Sequence, residues 1–94
     1  MTAHSLLSWV VVGNVQGVRS ALAAGADANQ KDERGCSAIH LAVSYRRKEI
    51  ISVLIAAGAD ITMKNPEGDD ALDMAARRDD VEILDAIDAA RKKA

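Results

Sequence analysis

The sequence has no phenylalanine, one tryptophan, one tyrosine, one proline and one cysteine in 94 residues. Without aromatic bulk, the apolar half of the chain must pack as Ala, Val, Ile and Leu. That suits short helices in close contact and not a large ligand cavity. The lone Cys36 excludes an intramolecular disulfide and points to a reducing compartment. Long apolar runs are missing as well, so no stretch reads as a membrane span. Met1 to Gly13 has neither the basic start nor the small-residue cleavage site of a secretory signal. Nor does one sign of charge dominate. Twelve basic and 14 acidic residues are interspersed, and the net charge of -2 argues against nucleic acid as the main partner. One small soluble domain spanning residues 1–94, cytoplasmic and monomeric on its own, is expected.

What the chain does have is a period. Lys31, Gly35, Ala38, Ala42, Glu49, Ile50, Ala56 and Ala57 recur 33 residues on as Lys64, Gly68, Ala71, Ala75, Glu82, Ile83, Ala89 and Ala90. Ala56-Ala57-Gly58-Ala59-Asp60 is likewise anticipated by Ala23-Ala24-Gly25-Ala26-Asp27. A fixed period of this length marks stacked repeats.

Taken in order, Ser5 caps a first helical stretch ending at Val12, and Gly13-Asn14 breaks it. Val15 to Ala24 follows, with Val18 and Leu22 facing inward. Gly17 weakens this helix slightly, since it lies in the first turn. Gly25 stands at the C′ position. The stretch Gly25 to Gly35 is an extended finger. Ser37 caps Ala38 to Tyr45, and Lys48 to Ala57 is its antiparallel partner, closed by Gly58. Ile39, Leu41, Ala42, Ile50, Ile51, Val53 and Leu54 recur at helical spacing and are predicted as core. A second finger, Ala59 to Gly68, contains Pro66, and Asp70 caps a last pair, Ala71 to Arg78 and Val81 to Lys92. Asp85, Asp88, Arg91 and Lys92 make the outer side of the last helix polar, as a terminal unit requires. Four consecutive apolar residues, Trp9 to Val12, cannot all be buried on one short helix. Val11 or Val12 should be exposed unless residues 1–4 cover them.

The period, the run Ser37-Ala38-Ile39-His40-Leu41-Ala42, the Asp32-x-x-Gly35 before it and the two Gly-Ala-Asp triplets together resemble the ankyrin repeat. The resemblance implies an all-α helical solenoid of three stacked antiparallel helix pairs joined by finger turns. Its units are an N-terminal cap (5–30), a full repeat (31–63) and a C-terminal cap repeat (64–92). Departures are visible. Alanine stands for the signature proline at Ala38 and Ala71, and Asp70 and Asp73 stand for Thr and His. Arg46 occupies an interhelical turn position where the family favours glycine, so a left-handed residue there would cost about 1 kcal/mol.

The resemblance implies structural roles for Ser37, His40, Gly25, Gly35, Gly58 and Gly68. It implies a non-catalytic module that binds another protein through its concave helix face and fingers. The family's contact positions fall on two columns, Val11, Ser44, Arg77 and Val12, Tyr45, Arg78. Glu33, Arg34, Cys36, Glu67 and Asp69 lie on the fingers. The columns run from apolar to cationic, with Tyr and Arg of the kind interfaces favour. As a single unit with no second domain to recruit, the chain is expected to act by occlusion, as an inhibitor or immunity-type protein.

No cofactor or metal site is expected. Asp69, Asp70, Asp73, Asp79 and Asp80 read as caps and solvated acids, not as cation ligands. Arg46-Arg47-Lys48 reads as a solvated turn rather than a phosphate site. Cys36 should point outward along its finger as an exposed, ordinary thiol while His40 points into the stack. Two other functions stay open at this stage: a self-associating adaptor using the apolar first unit, and an enzyme using Cys36 and His40.

Overall fold

The structure, a computed structural model of the chain, describes residues 5–93. Within them lie six helices: α1 (Leu6–Val12), α2 (Val15–Ala23), α3 (Ala38–Ser44), α4 (Lys48–Ala56), α5 (Ala71–Arg77) and α6 (Val81–Lys93). The predicted ends of α2 to α5 run one residue too far. Ala24, Tyr45, Ala57 and Arg78 are C-caps whose amides still bond into the preceding turn.

Most helices begin where the sequence supplies an oxygen acceptor for an orphan amide. Ser5 Oγ accepts from Ser8 N at 3.3 Å, Asn14 Oδ1 from Gly17 N at 2.8 Å, Asp70 Oδ1 from Asp73 N at 2.8 Å and Asp80 Oδ1 from Ile83 N at 3.3 Å. At α4 the N-cap is Arg47, which makes no such bond. The outer helices α2 and α4 end in the same way. Gly25 and Gly58 sit at φ of +100° and +94°, and the amides after them reach Ala21 O at 3.0 Å and Leu54 O at 2.9 Å. This wrapped C-terminus needs a left-handed residue at C′, and glycine adopts it without Cβ strain.

Helices α1, α3 and α5 pack side by side as an inner layer, and α2, α4 and α6 form an outer one. Between the layers runs one apolar core that includes Leu6, Val10, Val18, Ile39, Val43, Ile50, Ile51, Leu54, Ile83 and Ile87. Of the predicted core, Leu41 and Val53 are only half-buried. Helical periodicity identifies the apolar face, but this face is wider than the layer contact. Leu41 spills onto the inner surface, and Val53 spills onto the outer one beside Leu22.

The first unit solves its packing by an exchange of volume. In the second and third units the inner helix carries alanine (Ala42, Ala75) and the outer helix isoleucine (Ile50, Ile83) at corresponding positions of the period, and all four are buried in the one core. One period upstream these positions are Trp9 and Gly17. The large side chain has moved to the inner helix, and the outer helix has been reduced to backbone. A Cβ on Gly17 would stand 2.5 Å from Trp9 Cε3 and 2.6 Å from Trp9 Cγ. The glycine that reads as a weak point in a helix is therefore the seat of the tryptophan ring.

Neighbouring units are tied by polar contacts as well. Arg46 Nε donates to Asp80 Oδ2 at 2.7 Å, and its Nη2 donates to Glu82 at 2.9 Å. Lys48 reaches the other oxygen of Glu82 at 3.0 Å. Arg46 does adopt the left-handed conformation (φ 56°), and Asp79, one period on, does the same (φ 52°). The Arg46 hydrogen bonds, with burial opposing them, hold the Asp80 carboxyl below its ordinary range. Lys48 and then Arg46 do so for Glu82. A carboxyl depressed in the folded state adds stability above its unfolded value, and that stability is lost as pH falls through the folded value. Arg46→Ala should lower the melting temperature at neutral pH, and its deficit should shrink steadily on acidification below about pH 4. A deficit independent of pH, in melts across this range, would mean that the network contributes nothing.

Candidate functional site

The inner surface is built by two fingers and the C-terminal ends of three inner helices. In the first finger, Asp32 Oδ1 accepts from both Arg34 N and Cys36 N at 2.9 Å, while Asp32 N donates to Cys36 O at 2.8 Å. One period on, Asn65 repeats the device, accepting from Glu67 N and Asp69 N at 2.9 Å. A side-chain oxygen that holds two amides fixes the turn from within. Glu33, Arg34 and Glu67 are thereby presented to solvent at the tips.

The helix columns lie beside the fingers. Val12 is 63% exposed and Tyr45 48%, while Val11 is half-buried. Any cover from residues 1–4 lies outside the described residues. Ser44, Arg77 and Arg78 are exposed. A groove of about 600 Å³ runs between α1, α3 and the first finger, floored by Leu7, Val11, Val12, Leu41 and Tyr45 and walled by Asp32, Glu33 and Arg34. A smaller, polar groove of about 270 Å³ follows at Asn65, Glu67, Asp69, Met74, Arg77 and Arg78. Leu41 and Met74 were not assigned to this surface from the sequence. Both lie four residues before the Tyr45/Arg78 column, and that spacing is the signal that could have placed them there.

Three expected contact residues, Asp69, Arg77 and Arg78, are partly committed within the chain. Asp69 is buried, and its carboxylate sits 3.1 Å from Arg77 Nη2. Arg78 Nη1 donates to Ser44 O at 3.0 Å, capping the exposed end of α3. Arg47 departs from the expected solvated turn. It is half-buried, its Nη2 donates to Val11 O at 2.6 Å, and its Cζ lies 5.9 Å from the centre of the Tyr45 ring. Its Nε is buried without a hydrogen-bond partner among the described residues. This one guanidinium ties the end of α1 to the Tyr45 ring on the groove floor.

His40 and Ser37 are buried. Ser37 N–H donates to His40 Nδ1 at 3.0 Å, and His40 Nε2 lies 2.8 Å from Met63 O in the next finger. An amide can only donate and a carbonyl can only accept, so one neutral tautomer, protonated on Nε2, satisfies both. The imidazole therefore has no ring nitrogen left to activate Cys36. The Cys36 thiol itself is half-buried, not exposed as expected. Burial first and Asp32 second push its pKa up, against the pull of Arg34. It is thus held as the less nucleophilic thiol. Among the described residues no group of three or more His, Cys, Asp or Glu side chains is placed to hold a metal ion. No helix among them is long and apolar enough to cross a membrane.

Comparison with known proteins agrees with this geometry. A stretch of 43 residues, 46% of this chain, is 44% identical to an L-asparaginase of Dirofilaria immitis and spans 7% of that protein. That match is little longer than one 33-residue unit. The family described as ankyrin repeats (3 copies) matches residues 7–91. Ankyrin repeats are in general protein–protein interaction modules and typically non-catalytic, and this chain, an all-α helical-repeat protein, belongs to that family.

Proposed function

We propose that this chain is a non-catalytic module that binds a partner protein on its concave face, and that it acts as an inhibitor or immunity-type protein by covering part of that partner. The observation that carries this reading is the exposure of Val12 and Tyr45 together over the 600 Å³ groove. Apolar side chains set side by side on an open, prearranged surface mark an interaction site. The fingers and inner helices are fixed by internal hydrogen bonds, so little ordering cost is left for binding. The asparaginase likeness spans 7% of that protein and gives no ground for carrying its activity over.

A partner captured from the native organism gives the reagent for the test. Tyr45→Ala and Arg78→Ala should each weaken its binding by roughly tenfold or more, the loss typical of interface anchors. Asp85→Ala and Asp88→Ala, exposed on α6 in the outer layer, should change neither binding nor melting temperature. Calorimetric titration of the four variants decides between the faces. If the aspartates matter and Tyr45 and Arg78 do not, the partner sits on the convex side. A second reading, self-association through the first unit, is favoured by the exposed Val12. Sedimentation at several concentrations separates it, since a monomeric binder shows no concentration dependence.

A further inference from the structure

We infer that Arg47 is a positioning residue of the concave site: seated on Gly13, it presets the Tyr45 ring and the end of α1 for a partner without touching the partner itself. This rests on the concave-face reading above and adds how that face is held ready. Arg47 does not line the first groove, yet it meets two residues that do. Its Nη2 donates to Val11 O at 2.6 Å, and its Cζ lies over the Tyr45 ring, 5.9 Å from the centre. That is within the reach of a cation–π contact. A ring that is 48% exposed has little packing to orient it, so a guanidinium held over it sets its direction.

The seat is the glycine that ends α1 at φ +80°. A Cβ on Gly13 would stand 2.9 Å from Arg47 Cζ and 3.0 Å from both Nε and Nη1. Three adjacent atoms at nearly one distance mean that the guanidinium presents its face to the Gly13 backbone. Arg46, one residue earlier, braces the opposite way, onto Asp80 and Glu82 of the third unit. Arg78 binds Ser44 O, one period on from Val11 O, so the same inner-helix carbonyl is held in two units. At Val11 the arginine also holds a ring. Stability alone does not explain that arrangement. Arg47 Nε is buried without a hydrogen-bond partner among the described residues, and an orphan donor costs free energy. An unbranched apolar side chain of similar length would fill the space and leave no orphan. Departures from such local rules gather at functional sites, and here the gain is a fixed ring.

Arg47→Met keeps the length and removes the guanidinium, so its melting temperature should stay near that of the wild type. Tyr45 is the only tyrosine, and its Hα–Hβ couplings report the χ1 rotamer by nuclear magnetic resonance on the free chain. They should show one rotamer in the wild type and averaging over the staggered three in Arg47→Met. Gly13→Ala, whose Cβ pushes the flexible end of Arg47 aside, should release the ring as well. The binding arm uses peptides panned from a random phage library against the whole chain, keeping those that Tyr45→Ala weakens. If the binding rotamer falls to about a third of the population, apparent affinity for them falls about threefold in Arg47→Met. The loss should lie in the association rate, with dissociation unchanged, and should persist in raised salt, which removes steering by the lost charge. A lost direct contact would show as faster dissociation instead. That result, couplings unchanged in both variants, or a destabilised Arg47→Met that binds as well as the wild type would overturn the inference. Tyr45-dependent peptides indifferent to Arg47→Met would remove it alone. If no peptide depends on Tyr45, the concave-face reading falls first and takes this one with it.

Discussion

Replacing His40 with alanine should lower the stability of the chain by about 3 kcal/mol. The substitution removes three things at once. Ser37 N–H loses its acceptor at 3.0 Å, Met63 O loses its donor at 2.8 Å, and a buried ring becomes a void. An orphaned buried polar group costs about 1–3 kcal/mol, and partial collapse or an entering water offsets some of the total. The loss extends beyond one helix cap, because Met63 lies 23 residues downstream in the next finger. Denaturant melts should therefore shift as one cooperative transition, without one finger loosening alone. Affinity for the captured partner, corrected for the folded fraction, should hardly change. If the variant keeps full stability and loses binding, His40 contacts the partner and its structural role here is wrong.

The third unit shows what this histidine adds. One period on, Asp70 N–H donates to Asp73 Oδ2 at 3.2 Å, so a carboxylate takes over the acceptor role of Nδ1. A carboxylate has no proton for a further carbonyl, and the link across to another finger is given up. The reading of Asp70 as a cap was available from the sequence because capping is local. The resemblance implied a structural role for His40, but its tie to Met63 was not legible, since no spacing rule joins a helix start to a finger so far along the chain.

The same division holds elsewhere. Repeats, helix starts and the glycine C-termini were legible because each depends on residues a few positions apart. The two contact columns came from the family resemblance; the period relates their members, and Val12, Tyr45 and Arg78 are all exposed. What was hidden depends on neighbours in space. Arg47 sits in a basic run that reads as solvated, yet α1 provides a free carbonyl and Tyr45 a ring face at that point. Asp69 reads as a finger-tip acid, but Arg77 on the following helix reaches it. Burial of Leu41 and Val53 was overestimated because periodicity cannot separate a layer contact from the wall of an open groove.

Gly17→Ala sets two physical effects against each other, and the structure says which should win. Alanine is the better helix former by about 1 kcal/mol, so propensity alone predicts a stabilised protein. The added Cβ, however, would stand 2.5 Å from Trp9 Cε3, with Trp9 Cδ2 and Cγ in contact as well. Those atoms belong to the base of a rigid ring on a neighbouring helix and cannot yield as the tip of a flexible chain would. Overpacking of this kind costs typically about 1–3 kcal/mol and sometimes more, so a net loss of about 2 kcal/mol is expected. The second unit supplies the compensating change. Trp9→Ala with Gly17→Ile recreates the Ala42/Ile50 pair one period upstream. Trp9→Ala alone opens a void, and Gly17→Ile alone clashes more severely than alanine. Combined, they should recover more than about 1 kcal/mol relative to the sum of the single losses. Denaturant titration of the four proteins measures this coupling directly. A stabilised Gly17→Ala, or strictly additive losses in the pair, would mean that the Trp9 ring is not seated on the glycine and that helix propensity governs the first unit.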